Sequence, residues 1–289
     1  MKKSHIAFAI FLILPIKANA ANDCSPTEIA NNTCFDCGAT ASDLCTARKD
    51  GTKLTITGSG YMKDYLPQED PAPWGNVAQV DMSGIKSIGM YSFIDSDEVT
   101  ELTIPASVER LNTGALQGMR MLEKVFFEEG SNLKRIEGAA LQSTPKLMEF
   151  NMPDGVEYIG YNQFYNSGIT KLALPDSLFN ENGKLNLQEI ALKNGMTLYC
   201  PLERQQACEE YLKTAKGLAR VDGVNTYLPL ENITLETYQK FGSQYLYDGT
   251  FYDKVSDIAA SRRAYKRIYT VNEANEVTGK KNSVSVRYK

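Results

Sequence analysis

The sequence predicts a solenoid made mostly of short β-strands and turns, with a disulfide-stapled N-terminal cap and a small α+β domain at the C-terminal end. Three observations predict it. Five apolar triplets recur at steps of 22, 23, 25 and 22 residues: Val80-Asp81-Met82, Leu102-Thr103-Ile104, Val125-Phe126-Phe127, Phe150-Asn151-Met152 and Leu172-Ala173-Leu174. A second beat follows the first four at Ile88, Leu111, Ile136 and Ile159, and a third at Phe93, Leu116, Leu141 and Phe164. One such unit cannot bury its apolar side alone, so repetition at this period implies stacking. The third observation is that all six cysteines flank the repeats, four before them and two after.

The first 20 residues read as a removable export leader. Lys2 and Lys3 open it, Ile6 to Ile16 is its apolar run, and Ala18-Asn19-Ala20 supplies the small-x-small cleavage signal. Eleven apolar residues are too few to span a bilayer, which needs about 20. Residues 21–76 form a polar, cysteine-rich cap, and Lys53-Leu54-Thr55-Ile56-Thr57 alternates as a strand entered through the Asp50-Gly51 turn. Trp74, the single tryptophan, is expected to plug the open end of the stack rather than to serve as a ligand platform.

Residues 77–200 hold the five repeats and a degenerate sixth around Leu187-Gln188-Glu189-Ile190 and Met196-Thr197-Leu198-Tyr199. Each triplet is expected to be a short strand, stopped by Pro105, Pro153 or Pro175 in three of the five. Gly89, Gly138 and Gly160 suit tight turns where a Cβ would obstruct. Residues 201–224 read as a helix from Pro201 to Lys216 and a linker over Gly217–Gly223. Residues 225–289 make a basic, tyrosine-rich domain. It holds a hairpin turning at Asp248-Gly249, a helix over 270–278 capped by Thr270 and Glu273, and a terminal strand over 283–288.

Export makes disulfides the first reading of the cysteines. Cys200 and Cys208 pair, and Cys24, Cys34, Cys37 and Cys45 form two bridges whose pairing spacing alone does not decide. A four-cysteine zinc site around Cys34 and Cys37 is the competing reading, but a zinc ribbon wants two close pairs and here there is one.

His5, the only histidine, leaves with the leader, which excludes Ser-His-Asp and Cys-His catalysis and histidine-ligated metals. Loss of Lys2, Lys3 and Lys17 moves the formal charge from −4 to −7, a poor balance for nucleic-acid binding. The charge is uneven, with nine Lys or Arg between Lys254 and Lys289.

Strand, proline stop, Val-x-x-Ile-Gly turn and aromatic, as in Met152-Pro153-Asp154-Gly155-Val156-Glu157-Tyr158-Ile159-Gly160, resemble BspA-type leucine-rich repeats. The stretch Asp50-Gly51-Thr52-Lys53-Leu54-Thr55-Ile56-Thr57-Gly58-Ser59-Gly60, followed by Trp74, is similar to the segment that opens such arrays. The tail from Lys266-Arg267-Ile268-Tyr269 onward is similar to C-terminal segments carried by some of these proteins. Asn112 departs from the pattern where a turn glycine is usual, and the third repeat is two residues long in excess. The resemblance implies a leucine-rich-repeat solenoid on a secreted or surface-associated protein, and adhesion or protein–protein interaction rather than catalysis. It carries no residue-level binding motif.

Candidate contacts come from the residues themselves. The outward strand rows are Asp81, Thr103, Phe126, Asn151, Ala173 and Gln79, Glu101, Lys124, Glu149, Lys171. Their charges alternate and satisfy one another across strands, so Phe126 is the best contact candidate. Five strands about 4.8 Å apart give a sheet only about 20 Å wide. A standard interface needs about 800 Å² per partner, so a firm complex must also recruit loops or ends. Tyr245, Tyr247 and Tyr252 are the candidates for a glycan-binding alternative, weighed against a half-buried core role. Asp95, Asp97, Glu98, Glu128 and Glu129 could supply a glycosidase pair, but they fall in turns and no nucleophile, phosphate-loop or metal motif accompanies them. The expectation is therefore a non-enzymatic, cofactor-free protein. Its partner is a protein or cell-surface ligand, with no nucleic acid and no transmembrane segment once the leader is removed.

Overall fold

The computed structural model describes residues 23–260 apart from 95, 188 and 231, and beyond them 267–271 and 277–282. The leader over 1–20, Asp95, Glu273 and the strand expected over 283–288 lie outside the described residues. The described chain is a β-solenoid of about six turns.

The cap begins with α1 (Pro26–Ala30), closed by a capping box in which the Ser25 hydroxyl accepts the Glu28 N–H and the Glu28 carboxylate accepts the Ser25 N–H. Next come β1 (Cys34–Asp36), β2 (Cys45–Asp50) and β3 (Lys53–Gly58), an antiparallel meander. Disulfides Cys24–Cys34 and Cys37–Cys45 staple it, so the four cysteines are consumed in bridges and the zinc alternative falls. β3 then pairs in parallel with β4 (Gln79–Ser83), the first triplet, so the cap sheet passes directly into the repeats.

Two sets of strands run along the repeats. The second beat supplies β5 (Ser87–Ile88), β7 (Arg110–Leu111), β9 (Arg135–Ile136) and β10 (Tyr158–Ile159), a parallel sheet of two-residue strands. On the triplet side, β6 (Glu101–Ile104) and β8 (Lys124–Phe127) pair in register, with Thr103 opposite Phe126. Between the sheets the three apolar beats form continuous columns. Ile88, Leu111, Ile136 and Ile159 make one of them, Phe93, Leu116, Leu141 and Phe164 another, and all are buried. Trp74 ends the stack at the cap. It is 1% exposed, packs edge-on to Tyr65 at 5.1 Å and lies beside Phe35 and Phe93, and its indole N–H donates to the Ser92 carbonyl.

Turn backbone follows the same beat. Tyr91, Gly114, Ala139 and Asn162 each sit three residues after the second beat with φ between 53° and 61°. Their N–H groups are not orphaned, because the Tyr91, Gly114, Ala139 and Asn162 amides donate to carbonyls of the following repeat. Close packing explains two glycines: a Cβ on Gly89 would meet the Lys63 carbonyl oxygen at 1.9 Å, and one on Gly160 the Gly138 nitrogen at 2.6 Å.

Four expectations need correction. Phe150-Asn151-Met152 is not a strand, although Phe150 and Met152 are buried as expected. The Met152 N–H turns back to the Phe150 carbonyl at 3.0 Å, the contact of a γ-turn, just after the repeat that carries the two extra residues. The linker over Gly217–Gly223 is instead a hairpin of β13 (Lys216–Val221) and β14 (Val224–Pro229); Asp222 and Gly223 both have positive φ and close it as a two-residue turn. The helix over 270–278 is replaced by antiparallel β18 (Arg267–Val271) and β19 (Val277–Asn282), in keeping with the β-branched and aromatic residues there. Finally, the triplet sheet does not stop at residue 200. β11 (Lys171–Ala173) pairs in parallel with β12 (Thr197–Pro201), and β12 with β15 (Thr234–Phe241), before the sheet turns antiparallel through β16 (Gln244–Tyr247) and β17 (Thr250–Tyr252).

Two helices finish the fold. α2 (Gln205–Thr214) follows a 3₁₀ turn over Leu202–Arg204, and the Cys200–Cys208 disulfide ties it to β12. α3 (Val255–Ala260) lies across β11 on the outer side of the triplet sheet.

Candidate interaction surface

The outward face of the triplet strands divides into a free half and a covered half. At the N-terminal half the expected self-neutralising charges are in place: Lys124 meets Glu101 at 2.7 Å and Lys53 meets Asp81 at 2.7 Å. Both pairs are exposed, so solvent screens them and they contribute little stability. Thr103 and Phe126 are exposed between them, and the Phe126 ring is 46% exposed. Extended backbone alternates its side chains, so Val125, which is buried, forces Phe126 outward.

The C-terminal half is covered. Ala173, the last residue of the middle row, is only 2% exposed. It belongs to a second apolar cluster with Tyr199, Tyr238, Tyr245, Val255, Ile258 and Ala259, built on the outer side of the sheet rather than between the sheets. Its rings meet edge-to-face, Tyr238 with Tyr245 at 5.6 Å and Tyr199 with Tyr247 at 5.2 Å. The Tyr238 hydroxyl donates to the Leu174 carbonyl, the Tyr247 hydroxyl to Glu236.

Asp154 is the polar anchor of this cover. One carboxylate oxygen accepts the Tyr245 hydroxyl at 3.1 Å and the other accepts the Val255 N–H at 3.3 Å. Burial holds its pKa above the usual aspartate value, against the lowering effect of those two donors. Asp257 on α3 is raised too, chiefly by burial, with Asp154 and Asp253 adding to it and Lys254 opposing.

Two grooves border Phe126. One, about 560 Å³, runs over β4 and β6 past Asp81, Glu101 and Thr103. The other, about 360 Å³, lies between β8 and α3; Phe126, Glu128, Asn151 and Asp154 line it from the repeats and Lys254 and Asp257 from the tail. A larger groove, about 1000 Å³, opens between α2 and the 182–187 loop. Several of its charges are matched internally, Arg204 with Asp176, Lys213 with Glu210 and Lys216 with Glu189.

Residues 76–195 match the BspA type leucine rich repeat region in six copies. This stretch is a BspA-type leucine-rich-repeat region. The match spans all five triplets, and Leu187 bridges Ile159 in parallel, which places it at the second beat of the repeat that opens at Leu172 rather than in a degenerate sixth; the next triplet is at Leu198, opposite Leu172. Among solved structures, the chain is similar to a leucine-rich repeat protein from Eubacterium ventriosum, at 22% identity and a TM-score of 0.45, over 67% of this chain and 48% of that one. It therefore spans about half the length of that relative. It is also similar to the pneumococcal vaccine antigen PcpA, at 15% identity and a TM-score of 0.35 over 66% of this chain and 68% of that one. A leucine rich repeat protein of T. pallidum, at 14% identity and a TM-score of 0.34 over 53% and 67%, is a third. No curated protein matches the chain.

On the leucine-rich-repeat region the expected contact residues part company. Phe126 is exposed as read. Tyr245 is a correction: its ring is buried and its hydroxyl is bound to Asp154. Tyr247 and Tyr252 are half-buried and pack on the same cluster. The turn acids are dispersed: Asp97 pairs with Arg120, Glu98 accepts Asn76, and Glu128 accepts the Ala106 N–H. Glu129 is exposed in the turn after β8. Among the described residues no group of three His, Cys, Asp or Glu is placed to hold a metal, and no helix is long and apolar enough to cross a membrane. Sequence reasoning missed Asp154 and Asp257. Asp154 stands in a Pro-Asp-Gly turn that reads as solvated, and its partners are 91 and 101 residues away.

Proposed function

We propose that this protein is exported and acts as a non-enzymatic binding protein, attaching a protein or cell-surface ligand through the outward face of its leucine-rich repeats at Phe126. The observation that supports this most is a phenylalanine held 46% exposed on paired strands, with a groove on either side. Aromatic anchors of this kind dominate interface energetics when a partner covers them. Three disulfides in a chain of this length favour an oxidising compartment. The free half of the face is smaller than a standard interface, so the partner also touches the α3 wall of the groove. Glycan binding by the tail tyrosines is the weaker reading, because these rings are engaged in holding the tail to the repeats.

The test is a panel of extracellular-matrix proteins and glycans probed with the full exported chain and with Phe126→Asp. Loss of at least about ten-fold in affinity for a protein hit, at unchanged thermal stability, is the expected result. Equal binding by both chains, or turnover of a polysaccharide on the panel, would contradict the proposal.

A further inference from the structure

Twice among the described residues an arginine is held by an aromatic ring together with a carboxylate. The Arg135 guanidinium lies 4.1 Å from the Tyr158 ring centre while its Nε donates to Glu137 at 2.8 Å. Arg204 lies 5.5 Å from the Phe179 ring centre and pairs with Asp176 at 2.9 Å. The ring face and the carboxylate attract the same planar cation, so the two features reinforce each other.

The groove between β8 and α3 presents that combination to the outside. Phe126 supplies an exposed ring, and Glu128, Asp154 and Asp257 line the groove beside it. These three differ from Glu101 and Asp81 on the same face, whose charges Lys124 and Lys53 neutralise. Glu128 and Asp154 accept neutral donors instead. Lys254 lines the groove and, with Lys240, acts on Asp154, but neither forms an ion pair with these carboxylates among the described residues. At about 360 Å³ the groove is near the small end for ligand pockets and has room for one long side chain.

We infer that this groove receives an arginine side chain from an extended segment of a partner protein, its guanidinium between the Phe126 ring and the carboxylates of Glu128 and Asp257. The inference rests on the proposed binding role of this face and names the chemistry of the partner. Lysine fits less well, because a guanidinium both stacks on a ring and forks onto carboxylates. The raised carboxyl pKa values agree, since an entering cation relieves buried negative charge.

The test uses the full exported chain and three labelled short peptides of Gly-Ser background with a central leucine flanked by two arginines, two glutamines or two glutamates. Fluorescence anisotropy is expected to show the arginine peptide binding at least about ten-fold tighter than the glutamine peptide. Its affinity falls as salt rises from about 50 to about 500 mM. Phe126→Ala, and separately the double change Glu128→Gln with Asp257→Asn, each weaken it at least about five-fold, while Tyr161→Ala, another exposed ring, leaves it unchanged. Equal binding of the arginine and glutamine peptides with Phe126 dependence intact overturns the cationic assignment and leaves the binding face standing. So does no arginine-peptide binding up to about 1 mM while panel binding still depends on Phe126. Arginine-peptide binding that ignores Phe126→Ala overturns both.

Discussion

Trp74→Ala is expected to destabilise the N-terminal end of the stack by about 3–5 kcal/mol, the range for deleting a fully buried large aromatic. Trp74 is the largest fully buried side chain among the described residues, and Phe35, Tyr65 and Phe93 surround it. Removing it also takes the indole donor from the Ser92 carbonyl. Stacked repeats lose stability mainly through the neighbour they touch, so the damage concentrates in the cap and first repeat. Hydrogen exchange should accelerate over β3 to β5 far more than over β11 to β15. Trp74→Phe retains most of the apolar volume and should recover more than half of the loss. Uniform protection in Trp74→Ala would show that the residue is no plug.

Asp154→Ala carries the second large effect, on attachment of the tail rather than on the repeats. It strands the Tyr245 hydroxyl and the Val255 N–H, each costing about 1–3 kcal/mol if left unpaired. Residues 244–260 should lose exchange protection and become sensitive to protease, while the apolar columns between β5 and β10 stay protected. The pH dependence has a definite sign. Asp154 and Asp257 have pKa values raised in the native state, so the docked tail binds protons more readily than the undocked one. Their contribution to docking is fully present below the ordinary aspartate value of about 3.9 and is lost as pH rises through the raised native values. Protease resistance of the tail is therefore greater on the acid side of that window than at neutral pH. Asp154→Asn flattens the dependence and leaves the part due to Asp257. Resistance that increases steadily from acid to neutral pH would contradict this.

What the sequence made legible follows the range of the interactions. The repeat columns were readable because Ile88, Leu111, Ile136 and Ile159 recur at one period and each touches the next. Burial of Trp74 followed from its place before the first repeat. The Phe150 triplet has the right apolar pattern yet lacks ladder bonds, because pattern fixes which side chains face inward and not where a backbone N–H is donated. Gly217–Gly223 read as a linker because glycines punctuate both flexible segments and tight hairpins; Asp222-Gly223 is the hairpin form. The tail cover was invisible for a different reason. Ala173 is a small side chain in an outward position, and nothing local says that Tyr199, Tyr245 and Ile258 will close over it.

The outward face of the repeats is divided, free at Thr103 and Phe126 and closed by the protein's own tail at Ala173. Thiol labelling of two single substitutions in the full disulfide-bonded chain, Thr103→Cys and Ala173→Cys, distinguishes the two halves. Thr103→Cys is expected to react at the rate of an exposed thiol. Ala173→Cys should react at least about a hundred-fold more slowly, equivalent to about 2.8 kcal/mol of protection by the docked tail. Equal rates at the two positions would contradict it.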